Sequence, residues 1–263
     1  MQLFFIENVI LPGTAFELPT SDYKHAVQVL RMQVGEQIHA VGSDGTAYLA
    51  KIVAIDEATS SIKALAEGVA LPDTELPLDA EIICGLPKRD KAEWIVQKAT
   101  ELGANRIIFF SAERSIVQWR PQQIDKKLQR LQQIAHDAAA QSHRRRVPQV
   151  VYWSQLLTKL PEIGLNLVAY EEVVKAHEDF ALVSAFQQLN HAVSDTQNQA
   201  EDTTIRMIFG PEGGLTEQEV ARLADRQVQA VGLGPRILRT ETAPLYFLSS
   251  LSYAIELLKG KNG

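Results

Sequence analysis

The sequence predicts two domains, a small β domain followed by an α/β domain built on a mainly parallel sheet. Three observations carry that expectation. The first seventy residues alternate in short strand-like runs, residues 71–77 hold two prolines and two acidic residues between apolar stretches, and everything after them alternates short apolar runs with longer helical patterns. At 263 residues and 46% hydrophobic content the chain has enough material for two cores.

In the first part, Gln37 to Val41, Ala47 to Ile55 and Ile62 to Ala66 read as strands, with Ser43-Asp44-Gly45 as the turn between the first two. They form a small barrel or sheet over residues 1–71. The prolines Pro72 and Pro77 flank Asp73 and Glu75, so residues 72–77 read as a linker and residues 78–263 as the second domain.

In the second part, Ile82 to Cys84, Arg106 to Phe110, Leu167 to Tyr170, Ile205 to Phe209 and Val228 to Leu233 have the length and bulk of buried strands. Helices lie between them. Asp90 and Glu93 have the spacing of a capping box, Ile95, Ala99 and Leu102 share a face, and Gly103 reads as the stop. Thr216 and Glu219 start another helix in the same way. Residues 190–203, rich in Gln, Asn, Asp and Thr, read as a surface loop. A parallel sheet of this kind places its ligand crevice at the carboxyl ends of its strands.

Composition excludes several classes of function. The one cysteine, Cys84, rules out an intrachain disulfide, and its apolar setting reads as core. No Cys/His cluster has zinc-ligand spacing, so no metal is expected. No apolar run reaches the length of a membrane span and no signal peptide opens the sequence, which points to the cytoplasm. The net charge of -6 sits in residues 1–75, where four basic residues meet ten acidic ones, 4 - 10 = -6. By contrast, Arg114 to Arg146 carries eight basic and two acidic residues, 8 - 2 = +6. Such a stripe suits a phosphate-backbone partner, with Arg114, Arg144 and Arg145 as candidate contacts and Arg31 as a further one in the small domain.

Two segments share one grammar. In Phe209-Gly210-Pro211-Glu212-Gly213-Gly214 a buried strand empties into a glycine-rich loop ahead of the helix at Thr216. In Leu233-Gly234-Pro235-Arg236-Ile237-Leu238-Arg239-Thr240-Glu241-Thr242 a second strand does the same, ahead of a helix whose first turn holds Pro244. Glycines there permit close backbone approach to a ligand. Neither matches the dinucleotide fingerprint or a phosphate loop. Arg236 and Arg239 stand near a helix start, where the dipole disfavours cations, and so point to an anionic or electron-rich ligand.

The pair GPEGG and LGPRILRTETA, with KRDKAEWIVQKATELG at 88–103 and AAAQSHRRRVP at 138–148, resembles the RsmE family of ribosomal RNA uridine N3-methyltransferases. His25 to Glu36, HAVQVLRMQVGE, is similar to that family's PUA-like RNA-binding domain. One departure is His143, where the family's Gln-Ser-Gly-Arg stretch has glycine. The resemblance implies a SPOUT-type methyltransferase domain with a C-terminal trefoil knot, preceded by a PUA-like β-barrel. It implies S-adenosylmethionine as cofactor, 16S ribosomal RNA or the small subunit as partner, and a homodimer. Carried over residue by residue, the cofactor would meet Tyr170, Glu171, Phe209, Gly210, Pro211, Glu212, Gly213, Leu233, Gly234, Ile237, Leu238 and Thr242, and Arg239 would be catalytic. Two other readings stay open on sequence: a related knotted methyltransferase acting on transfer RNA or a ribose 2′-hydroxyl, and a non-catalytic RNA-binding assembly factor.

Overall fold

A computed structural model describes residues 1–172, 181–194 and 203–258. The chain divides into two compact units, one of Met1–Glu75 with Ala139–Arg146, the other of Leu76–Ala138 with Val147–Gly263.

The first unit holds a five-stranded sheet of β1 (Leu3–Phe5), β2 (Ala15–Glu17), β3 (Gln37–Val41), β4 (Ala47–Asp56) and β5 (Ser61–Ala70), in the order β1-β3-β4-β5-β2. Only β1 and β3 run parallel. Period-two patterning makes β5 one-sided: Ile62, Ala64 and Ala66 are buried while Lys63 and Glu67 face out. One helical segment, α1 (Thr20–Tyr23), continues as a wide π-type turn over Lys24–Val29 and buries Tyr23 and Ala26. The strands β1 and β2 lie outside the pattern read from the sequence, because three residues are too few to show a period.

The second unit contains β6 (Asp79–Gly85), β7 (Arg106–Phe110), β8 (Gln149–Trp153), β9 (Leu165–Ala169), β10 (Thr204–Phe209) and β11 (Gln229–Val231). They form a sheet in the order β11-β9-β10-β6-β7-β8, with every pairing parallel. All six residues of β10 are buried, as a central parallel strand requires. One core cluster, including Ile82, Ile95, Ile107, Phe209, Phe247 and Leu251, and a second around Ile83, Ile108, Val168 and Ile208 divide the inward positions between them. Burial of each such side chain contributes about 1.5–3 kcal/mol.

Helices α2 (Lys91–Glu101), α3 (Pro121–Gln141), α4 (Leu156–Lys159), α5 (Ala181–Ser194) and α6 (Glu217–Ala224) connect these strands, and α7 (Ala243–Ser252) follows the last of them. Gly103, at φ +92°, ends α2 as expected, with the Ala104 N–H donating back to the Ala99 carbonyl. Its start differs from expectation: Asp90 makes no side-chain cap, and the preceding Arg89 sits at φ +55°. At Thr216 the full capping box forms, with Glu219 N–H donating to Thr216 Oγ1 at 3.1 Å and Thr216 N–H donating to Glu219 Oε2 at 2.8 Å. Of the stretch expected to be a loop, residues 190–194 belong to α5, and residues 195–202 lie outside the described residues. Among the described residues, no helix is long and apolar enough to cross a membrane.

Candidate cofactor and substrate site

Four loops leave the carboxyl ends of the neighbouring strands β6, β10, β9 and β11, which is where an open α/β sheet binds its ligand. The loop after β10 is built tightly. A Cβ on Gly85, at the end of β6, would come within 2.5 Å of Pro211 Cδ, so only glycine lets the loop settle against that strand. A Cβ on Gly210 would meet the loop's own backbone at Gly214 and Leu215, 3.0 Å away. Gly210 is thus needed first for the loop to fold on itself. The turn closes with the Gly214 N–H donating to the Pro211 carbonyl at 2.8 Å, and the capping box of α6 fixes its far end.

Side chains brace it from outside. Arg114, expected on a phosphate track, donates instead to the carbonyls of Gly213 and Leu215 at 3.3 and 3.4 Å. Glu212, expected against the cofactor, accepts from the Lys88 N–H at 3.0 Å and from Lys91 Nζ at 3.1 Å. Burial alone would raise the Glu212 pKa, but the Lys88 N–H and the Lys91 ammonium carry it below the ordinary carboxylate value.

The loop after β11 is open by comparison. Among the described residues, no backbone–backbone hydrogen bond is donated by residues 233–239, and the first closure comes where the Thr242 and Ala243 N–H groups donate to the Arg239 carbonyl. Gly234 takes φ +85°, where a Cβ would stand 3.8 Å from Tyr246 Oη, Leu233 packs on the core, and Ile237 is 86% exposed. Leu238 is half-buried, Thr242 stands at the N-cap position of α7 without a side-chain cap, and Pro244 occupies the helix's first turn. Exposed backbone donors and acceptors beside an apolar side chain are the means a nucleoside-bearing ligand uses, so this segment fits S-adenosylmethionine. Arg239 is exposed, and among the described residues its guanidinium meets no hydrogen-bond acceptor. Tyr170, half-buried, ties the end of β9 to this loop by donating its N–H to the Val231 carbonyl at 3.1 Å, and Glu171 is exposed beside it. The Phe209 side chain is buried edge-on against Phe247, leaving its main chain as the part able to face a ligand.

Two residues absent from the sequence-based set join these loops. Lys91 Nζ lies 3.1 Å from Glu212 Oε1 and 2.9 Å from Glu241 Oε2, and a groove of about 850 Å³ lined by Lys91, Glu241, Arg89, Trp94 and Gln97 opens beside them. In sequence Lys91 reads as a helix-start residue, and nothing in the spacing of 91, 212 and 241 announces that they meet.

The remaining candidates are placed in the first unit. Arg31 is exposed at φ +56°. Arg144, expected to meet RNA phosphate, is 3% exposed and paired with Glu75, and Arg145 reaches Asp73 and the carbonyls of Leu71 and Gly45. Both guanidinium groups are occupied within the unit. Trp119 and Trp153 pack in the interior, while Trp94 is half exposed with Lys98 Nζ 5.3 Å from its ring centroid. Cys84 is buried, and burial pushes its thiol pKa up.

Residues 74–252 match the family model of an RNA methyltransferase domain, and residues 18–63 that of an RNA methyltransferase PUA domain. A ribosomal RNA small subunit methyltransferase E from Bacillus subtilis (strain 168) is 41% identical, with 99% of each chain covered. Among solved structures, the chain is similar to the ribosomal RNA small subunit methyltransferase E from Neisseria gonorrhoeae bound to S-adenosyl methionine, at TM-score 0.75 and 29% identity, covering 96% of this chain and 97% of that one. It is also similar to the Legionella pneumophila putative methyltransferase in complex with the same cofactor, at TM-score 0.73 and 25% identity, over 96% and 97% of the two chains. Matched along its whole length by relatives of one kind, the chain belongs to the ribosomal RNA small subunit methyltransferase E family.

Proposed function

We propose that this chain transfers the methyl group of S-adenosylmethionine to N3 of a uridine in the 16S RNA of the small ribosomal subunit. The observation that carries the reading is the juxtaposition, at one end of a parallel sheet, of a braced glycine loop and an open backbone loop that leads to the exposed Arg239. Gly210, Pro211 and Gly213 shape one wall for the cofactor, Leu233, Gly234, Ile237 and Leu238 the other, and Tyr170, Glu171 and the main chain of Phe209 edge the space. Glu212 and Thr242 hold these loops in place. Bound S-adenosylmethionine supplies an electrophilic methyl on a sulfonium.

Uracil N3 carries a proton and has no lone pair to offer until that proton leaves. The resulting ring anion spreads its charge onto the two carbonyl oxygens, where the guanidinium of Arg239 stabilises it. Positioning supplies much of the remaining acceleration, since attack needs the nitrogen about 3–3.5 Å from the methyl carbon and in line with it. Because N3 lies on the Watson–Crick edge, the base must be unpaired or extruded. The first unit is the PUA-like RNA-binding part, with Arg31 among its exposed cations.

The protein works in the cytoplasm as a homodimer. On α7 and the π-type turn that continues it over Tyr253–Leu257, Leu248, Leu251 and Ile255 are buried within the chain, whereas Tyr253 and Leu257 with Ile237 stay exposed and provide an apolar surface for a second copy. The decisive experiment incubates the protein and S-adenosylmethionine with small subunits or 16S RNA that lacks base methylation, followed by nucleoside mass spectrometry. The expected product is 3-methyluridine. A methyl group on a ribose 2′-oxygen, or transfer to transfer RNA alone, overturns the reading.

A further inference from the structure

Lys91 stands in the first turn of α2, where the helix dipole disfavours a cation. Its ammonium is held there by two carboxylates from segments far apart in sequence, Glu212 in the loop after β10 and Glu241 in the loop after β11. Among the described residues, no hydrogen bond or ion pair links residues 210–215 directly to residues 232–242; Lys91 is what they share. The three side chains are each 21–29% exposed, so solvent screens the cluster only in part. Glu241 and then Glu212 raise the Lys91 pKa, and both carboxylates are held below their ordinary values against a burial that would raise them.

The geometry points to Lys91 as a positioning residue that sets the separation of the two cofactor loops. It does not touch the reacting atoms. It pins the open loop, which has little internal hydrogen bonding, to the braced one and to the start of α2. The inference rests on the reading that these loops hold S-adenosylmethionine. Without the ammonium, Glu212 and Glu241 lose the cation they share, leaving only the Lys88 N–H on Glu212 and the more distant Arg239 charge on Glu241, and the loops are pushed apart. Cofactor affinity should then become pH-dependent in the carboxylate range, because protonating one of the pair relieves the repulsion.

The test is calorimetric titration of the intact protein with S-adenosylmethionine at several pH values, with thermal unfolding run in parallel. Lys91→Met should weaken binding about tenfold at neutral pH and recover part of the loss towards pH 5. Lys91→Met combined with Glu212→Gln should bind more tightly than Lys91→Met alone, since one uncompensated charge is gone. Should Lys91→Met fail to fold, Glu241→Gln takes its place and should weaken binding about threefold by releasing one arm of the pin. Wild-type affinity in whichever single variant folds, or a double variant no better than Lys91→Met, overturns the inference. Gly210→Val serves as the control on the site. If it keeps full cofactor affinity the loops are not the site, whereas loss of binding there with unaltered Lys91→Met sinks only the role of Lys91.

Discussion

Arg144 and Arg145 in the first unit and Arg236 and Arg239 in the second read alike in sequence, as arginines crowded next to a turn, yet they end in opposite states. The chain reverses at His143, which takes φ +56° while the Arg144 N–H donates back to the Ala139 carbonyl. That left-handed stop turns Arg144 inward onto Glu75, whose carboxylate also accepts the N–H groups of Arg145 and Arg146. Arg236 and Arg239 follow a strand end with no such return, and no carboxylate in hydrogen-bonding range meets either among the described residues. Charge counted along a sequence measures supply. Which cations remain available to a ligand is decided by carboxylates that come from elsewhere in the chain.

The comparison breaks most readily at Arg144. Removing one partner of an ion pair buried to this degree leaves the Glu75 charge with only the Arg145 and Arg146 N–H groups to meet it, which costs about 3–5 kcal/mol. Arg144→Ala should therefore lower the urea midpoint by that margin, with the loss confined to the first unit by hydrogen exchange. A variant as stable as wild type, with weaker RNA affinity and a shallower salt dependence, would restore the phosphate track that the basic stripe suggests.

Arg239 is the opposite case, a cation whose removal leaves no buried charge behind. Arg239→Ala should leave the unfolding midpoint unchanged within about 0.5 kcal/mol, as exposed substitutions do. Its cost falls on the chemical step, about 2.7–4 kcal/mol, or roughly 10² to 10³ in single-turnover methylation at saturating RNA. Arg239→Lys should recover only part, since a point charge does not reproduce the planar fork. Loss of cofactor binding with a normal residual rate at saturation would make Arg239 a pocket residue instead.

The contrast also marks what could be read from sequence. Local rules worked where the cause is local: Arg106 to Phe110 is a strand over the expected residues, Gly103 stops its helix, and Thr216 caps the next. The GPEGG and LGPRILRTETA segments leave strand ends as their grammar requires. What sequence could not disclose depends on pairing at long range. Arg144 meets Glu75 across 69 positions and Lys91 meets Glu212 across 121, and neither partner leaves a mark on the other's neighbourhood. Residues 139–146 group with the first unit for the same reason, through Ala140 packed with Leu3, Val41 and Ala47. The strand β8 was missed because Pro148 and three arginines ahead of Gln149 mask a short apolar run.

Arg114 falls between the extremes. It is exposed like Arg239 but engaged like Arg144, and its two hydrogen bonds to the carbonyls of Gly213 and Leu215 are long. Arg114→Ala should cost about 1 kcal/mol, read as a fall of about fivefold in S-adenosylmethionine affinity with little change in stability. An effect on RNA binding alone would return Arg114 to the phosphate contacts.

The smallest expected effect is at the residue that creates the inward turn. His143 occupies the helix-ending position that favours glycine, and glycine is what the family pattern has there. Its ring Nδ1 lies 3.0 Å from His39 Nδ1, so one ring must accept the other's proton and the two cannot both be charged at that distance. Burial, and then His143, lower the His39 pKa below its usual 6.5. A histidine with a depressed folded-state pKa adds stability that is present above about pH 6.5 and is lost as pH falls below it, because the unfolded chain takes up the proton first. His143→Gly relieves a left-handed conformation worth about 1–2 kcal/mol in an L residue but adds freedom to the unfolded chain, so the net change at pH 8 should stay within about 1 kcal/mol. The bond that the Thr74 hydroxyl donates to the carbonyl of residue 143 survives the change, since at position 143 it uses only main chain. On acidification the wild type should lose stability faster than the variant, and the two unfolding curves should separate between about pH 6.5 and pH 5. Parallel curves over that range would mean that the histidine pair carries no proton-linked strain, leaving His143 as a turn residue and nothing more.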